Sequence, residues 1–206
     1  MTIRPGEPWG SPDTAPTQTV WFPSDRYLGR ALDAGVSGAV GICGGDLVSV
    51  TGQLGARSSV KISIDALVVR YANHTTGIAG STHAVSWIRL GNWWSRGGMQ
   101  VVSNTGLVEG REWFARSHPN DGLLDAASVA GEMPMRQRLL ARRRVASGLP
   151  FSHRQIQSSR DRQFHWSGRP TDLVVDGERV ARVTSLEVVV QPDALVVYVG
   201  SPSTAN

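Results

Sequence analysis

Two carboxylates flank a glycine at Asp176-Gly177-Glu178, directly after the apolar run Leu173, Val174 and Val175. Acids held at a strand end can bind Mg2+ or accept a hydroxyl proton. The same Asp-Gly pair also signals a two-residue hairpin turn. A second group, Cys43-Gly44-Gly45-Asp46, closes a short apolar run after a helical pattern. A third is a set of five arginines, Arg136, Arg138, Arg142, Arg143 and Arg144, with Glu132 as the one acidic neighbour. They suit phosphate headgroups or another polyanion, and equally a solvated helix face. Trp93 and Trp94 can reach a headgroup region or fill a core. The five histidines show no metal-ligand spacing, and the sequence holds no HExxH, CxxC, phosphate-loop or GxSxG motif.

These groups sit in a chain of 206 residues, 40 % hydrophobic and 18 % charged, with 23 Gly and 11 Pro. The balance is globular, and the abundance of Gly, Pro and Val favours a β-rich, turn-rich fold. Net charge is +4, and Lys61 is the single lysine among 21 basic residues. Codon usage accounts for such a bias, so basicity alone does not argue for nucleic acid, and no nucleic-acid partner is expected. Cys43 is the sole cysteine, which excludes an intrachain disulfide and fits a reducing cytoplasm. No apolar run approaches a membrane span and no signal-peptide pattern opens the chain. Any membrane contact is therefore expected to be peripheral.

The elements that must position these residues are mostly strands. Ser24 and Asp25 can cap a helix running to about Gly35, with Leu28, Ala31 and Leu32 at helical spacing, and Gly38 to Ile42 reads as a buried strand. Strands are predicted at Lys61–Arg70, His83–Leu90, Met99–Ser103, Leu123–Val129, Asp172–Val175, Arg179–Leu186 and Ala194–Val199. Turns are predicted at HPNDG, Asp176-Gly177 and Pro192-Asp193. Residues 132–146 read as a helix with Met135, Leu139 and Leu140 as its apolar stripe, the arginines on its other faces and Gly148 ending it.

The stretch SNTGLVEGREWFARSHPNDGLLDAASV (103–129), followed by PTDLVVDGERVARVTSLEVVVQPDALVVYV (170–199), resembles the C-terminal domain of the diacylglycerol kinase and sphingosine kinase family. Asn104, Gly106, Gly110, the HPN segment and Asp121-Gly122-Leu123-Leu124-Asp125 match in order. So do Asp176-Gly177-Glu178 and Pro192-Asp193-Ala194-Leu195 further on. The resemblance covers roughly residues 60–200. It implies a structural Mg2+ at Asp121 with the carbonyls of His118 and Leu123; the residues alone leave Asp121-Gly122 equally a plain turn. It also implies that Asp176 and Glu178 face a nucleotide across a cleft. It further aligns Gly44, Gly45 and Asp46 with the family's GGDGT loop, whose main-chain N–H groups cradle ATP phosphates. Here Leu47 and Val48 replace the last Gly and Thr. Only about 45 residues precede the loop, too few for the family's nucleotide domain. Autonomous ATP binding is not expected.

The fold class expected is mainly β: an antiparallel β-sandwich or curled barrel with one peripheral helix and a small N-terminal α/β appendage. Residues 1–23 form an extended arm, 24–59 the appendage and remnant of a nucleotide-binding domain, and 60–200 the lipid-kinase-like β domain. The function implied is a cytoplasmic, pseudokinase-like module that binds a lipid or other apolar small molecule or regulates, with an anionic membrane surface as a partner. Two alternatives stay open. One is an ATP-dependent lipid phosphotransferase completed by a separate nucleotide-binding chain or a homodimer mate. The other is a protein-interaction module.

Overall fold

The structure, a computed structural model, describes residues 9–36, 38–52, 59–147 and 153–200. Two short strands, β1 (Ser11–Pro12) and β2 (Val20–Phe22), lead into helix α1 (Asp25–Asp33). Strand β3 (Val40–Ile42) and the short helix α2 (Asp46–Thr51) follow. The main body begins with β4 (Val60–Asn73), β5 (Ala79–Ala84), β6 (Trp87–Gly91) and β7 (Met99–Ser103). A small hairpin, β8 (Leu107–Val108) and β9 (Arg111–Glu112), precedes β10 (Leu124–Val129) and helix α3 (Met135–Ala146). Strands β11 (Ile156–Asp161), β12 (Gln163–Val175) and β13 (Glu178–Val199) close the described chain.

The architecture is mainly antiparallel β, as the alternating apolar runs predict. One sheet runs β1-β4-β13-β12-β6-β7-β10-β11, with β5 on the outer edge of β4. Its path ends at β1 and β11, so among the described residues it does not close into the barrel that was the other expectation. It folds over instead. Side chains of β4, β12 and β13 (Leu67, Val69, Leu173, Val188) share one buried cluster with Ile88, Leu90, Val102 and Leu124 of β6, β7 and β10. The N-terminal α/β piece joins the same sheet. β3 lies parallel to the last residues of β13, and β2 lies parallel to β3. Leu28, Ile42, Leu47 and Val48 then pack on Ile62, Ile64, Val197 and Val199 in a second buried cluster. Helix α1 lies so close to β5 that a Cβ on Gly29 would sit 2.8 Å from the His83 carbonyl oxygen.

Four sequence expectations are corrected. His83–Leu90 is two strands rather than one, because the chain bends at Val85-Ser86 between β5 and β6. Arg179–Leu186 and Ala194–Val199 are one strand. Pro192-Asp193 is an irregularity inside β13 rather than a turn, with Asp193 at φ +49° and its N–H bonded to Asp65 Oδ1 at 2.8 Å. Strand β11 lacks an apolar signal: IQSSRD is nearly all exposed and pairs as an edge on β10. The fourth concerns the basic helix. The helix ends at Ala146 as read but begins at Met135 rather than at residue 132, and Gly148 lies outside the described residues. Its orientation is reversed.

Arg138, Ala141 and Val145 face inward, while Met135, Leu139 and Leu140 are exposed. Arg138 is 3 % exposed. Its Nε donates to the Met133 carbonyl at 2.9 Å and its two terminal nitrogens to those of Trp93 (3.0 Å), Ser95 (2.7 Å), Ala130 (3.1 Å) and Gly131. The guanidinium fork thus ties the loops on either side of β7 and β10 to the helix. Burying Val145 contributes about 1.5 kcal/mol, whereas a hydrogen bond to a charged group contributes about 1.5–3 kcal/mol, so the arginine decides which face turns in. Replacing Arg138 by Leu leaves its carbonyls without donors and is expected to cost about 3 kcal/mol or more in urea unfolding. Arg136→Leu on the same helix should change stability by less than about 0.5 kcal/mol.

Candidate functional site

Asp176-Gly177 is the hairpin turn between β12 and β13, with Asp176 at φ +44° and Gly177 at φ +89°. Positive φ at both central residues is the geometry that Asp-Gly favours. The Asp176 main chain is partly exposed, but its carboxylate turns inward. Oδ2 accepts the Val85 N–H at 2.8 Å, and Oδ1 accepts those of Ser86 (3.0 Å) and Trp87 (2.9 Å). The Asp176 N–H returns to the Trp87 carbonyl at 3.0 Å. Burial pushes the Asp176 carboxyl up to about 6, overriding the lowering effect of the three N–H donors and of Arg26.

Glu178 points back to α1. Arg26 Nε donates to its Oε2 at 2.7 Å, and Arg30 pairs with its Oε1. The hydrogen bond from Arg26 is the main reason its carboxyl lies below the ordinary range. Arg26 also reaches Thr82 Oγ1 at 3.2 Å. Asp33, at the far end of α1, accepts from Thr82 Oγ1 (2.6 Å) and the His83 N–H (2.8 Å). Both acids of the Asp-Gly-Glu turn are therefore engaged by protein donors.

The Gly-rich turn lies beside them. Asp25 sits in the first turn of α1, but its carboxylate crosses to the start of α2, where Oδ2 accepts the Asp46 N–H at 2.7 Å and the Leu47 N–H at 3.4 Å. Gly45, at φ +106°, is required there: a Cβ would fall 2.5 Å from Asp25 Oδ1. Asp46 Oδ1 accepts the Gly110 N–H at 2.9 Å from the β8–β9 turn. Asp25 and Asp46 are 4 % and 8 % exposed, and Asp25 Oδ1 and Asp46 Oδ2 are buried with no hydrogen-bond partner. Burial, and next the nearby Asp176, hold the Asp25 carboxyl well above its usual range; burial raises Asp46. The fold thus gathers Gly44, Gly45, Asp46 and Asp176 at one junction, and adds Asp25. Sequence reasoning missed Asp25 in this role because it read the residue as a cap of its own helix. The α1 cap residue, Ser24, makes no side-chain capping bond.

The HPNDG turn lies elsewhere and is closed by protein groups. Asp121 Oδ1 accepts the Leu123 N–H at 3.0 Å, and Oδ2 pairs with the Arg160 guanidinium. Asp65, fully buried, accepts the Gly122 N–H at 2.7 Å. His118 Nδ1 accepts the Asn120 N–H at 3.2 Å, and its ring meets Trp9 edge-on at 4.7 Å. Both oxygens of Asp121, the carboxylate that the resemblance assigns to Mg2+, are thus engaged by protein donors, the Leu123 N–H and Arg160. Among the described residues, no three His, Cys, Asp or Glu side chains are grouped to hold a metal. The five arginines are also divided: Arg138 is buried, and Arg136, Arg142, Arg143 and Arg144 are exposed.

No family model and no curated protein matches this chain. Solved structures do. Yeast NADH kinase complexed with NADH aligns at TM-score 0.50 and 9 % identity, over 88 % of this chain and 62 % of that one. A diacylglycerol kinase from Bacillus anthracis str. Sterne aligns at TM-score 0.49 and 10 % identity, over 70 % and 56 %. The likeness to the NADH kinase shows a kinase-like fold. The chain spans about 60 % of the length of these two structures.

The buried carboxylate of Asp176 gives a pH signature. Its carboxyl titrates near 3.8 in the open chain and at about 6 in the fold. The folded state therefore binds the extra proton between those values, and stability falls as pH rises through that window, by at most on the order of 3 kcal/mol. Asp176→Asn cannot titrate. Its stability relative to wild type should rise from about pH 4 to about pH 6 and stay level above, as read by urea unfolding at each pH.

Proposed function

We propose that the chain is a kinase-fold module that does not transfer phosphate from ATP on its own and works by binding a ligand or regulating. The observation that carries this reading is the Asp25 carboxylate at the Gly-rich turn. A phosphate loop offers main-chain N–H groups to an anion and needs open space above its glycines. Here the Asp46 and Leu47 N–H groups are taken by Asp25, and the space over Gly45 is filled by the same carboxylate. An incoming phosphate would meet a carboxyl group in place of free donors. Leu47 and Val48, which stand where the nucleotide loop has small residues, are fully buried and cannot swing away without opening the core.

The ligand in this reading is a lipid or other apolar small molecule. An open groove of about 730 Å³ on the β4–β5 and β12–β13 surface supports it, with Tyr71, Ala72, Trp166 and Leu186 in its lining beside the polar Ser81, His165, Ser167 and Ser185. Arg70 and Glu187, joined at 3.1 Å, also line it. The volume falls in the range of small-molecule sites, about 300–1,000 Å³.

The test is phosphoryl transfer from radiolabelled ATP to diacylglycerol, sphingosine and NAD(H) with the purified chain. The expected result is no product above a protein-free control. Labelled product that disappears in Asp46→Ala would overturn the reading.

A further inference from the structure

We propose that the outward face of α3 docks on an anionic lipid bilayer, lying flat in the interface with its leucines inserted and its arginines on the headgroup phosphates. The inference stands apart from the kinase-module reading and survives its failure.

Arg138 fixes the orientation of α3. With Arg138, Ala141 and Val145 buried, a turn of about 100° per residue places Arg136, Leu139, Leu140 and Arg143 on the opposite side. Met135 and Arg142 flank them on one side and Arg144 on the other. Met135 is 53 % exposed and Leu140 59 %. The outward face is therefore mixed: Leu139 and Leu140 stand on either side of Arg136 and Arg143, with Met135 beside Leu139. Leucines so placed reach the acyl boundary when arginine stems hold the helix at the phosphates.

Charge complementarity selects the occupant. Among the described residues, Arg136, Arg142, Arg143 and Arg144 make no ion pair with an acidic side chain, and Glu132 is the one acid between residues 132 and 147. Trp94, 49 % exposed in the neighbouring loop, carries the Arg142 guanidinium 5.8 Å from its ring centre. An indole with an arginine over its face is suited to the headgroup layer. The acids on the packed β8–β9 hairpin are Glu109, which is occupied by Arg89 at 3.2 Å and Arg111 at 3.7 Å, and the exposed Glu112 of β9, a single charge against four arginines. No helix among the described residues is long and apolar enough to cross a membrane, so the contact proposed is a surface one.

The test is sedimentation of the whole chain with vesicles of phosphatidylcholine, pure or mixed with phosphatidylglycerol. Two variants accompany wild type: Arg142→Gln/Arg143→Gln/Arg144→Gln, and Leu139→Ser/Leu140→Ser. Thermal melts confirm that both fold, since all five side chains are exposed. Wild type is expected to bind vesicles with about 30 % anionic lipid at least tenfold better than neutral ones at low salt. Each variant should lose most of that binding. Undiminished binding by the leucine variant would overturn insertion and leave only diffuse charge attraction. Absence of wild-type binding to anionic vesicles would overturn the proposal. So would a wild-type dimer in light scattering that the leucine variant converts to monomer without any vesicle binding, since the face would then belong to a second copy of the chain.

Discussion

Val85, Ser86 and Trp87 lie where the chain bends between β5 and β6, and their N–H groups converge on one side chain. The Asp176 carboxylate takes all three. Without it, three buried donors would go unpaired at a cost of about 1–3 kcal/mol each. With it, β5 can pair with β4 while β6 crosses to β12 and β7, and the sheet folds over its own core. The same turn directs Glu178 to Arg26 and Arg30, which seats α1 on β5. Seating α1 carries Asp25 to the start of α2. Each step follows from holding one acid at one bend.

That arrangement sets the electrostatics of the junction. Asp25, Asp46 and Asp176 are buried close together, and burial raises all three above the ordinary carboxyl range. Proximity of like charges adds to the effect at Asp25. In the proposed reading, a carboxyl group that takes the loop's donors and covers its glycine leaves no room for phosphate, even though Gly-Gly-Asp also occurs in loops that bind it. The deciding residue is Asp25, twenty-one positions upstream in sequence.

Much of the sheet was legible. Alternation in β4 and short apolar runs in β7 and β10 locate those strands to within a few residues, and Asp176-Gly177 gives its hairpin. HAVSWIRL likewise reads as one strand. The bend there depends on a carboxylate about ninety residues away, which local pattern cannot report. The end of α3 was legible, but its orientation was not. Hydropathy assigns Met135, Leu139 and Leu140 to the core, and only the five carbonyls that converge on Arg138 reverse it. At the junction, the sequence singled out Gly44, Gly45, Asp46, Asp176 and Glu178. It gave no sign that Asp25 would leave its own helix to cap another, or that Arg160 would close on Asp121.

The central claim is that the Asp25 carboxylate already occupies the main-chain donors of the Gly-rich turn. The amide resonances of Asp46 and Leu47 report on it directly during a titration with pyrophosphate. The account predicts that both stay in place at pyrophosphate concentrations that saturate an ordinary nucleotide site. A saturable shift at those two amides in the wild-type chain would show that phosphate reaches the loop, and would contradict it.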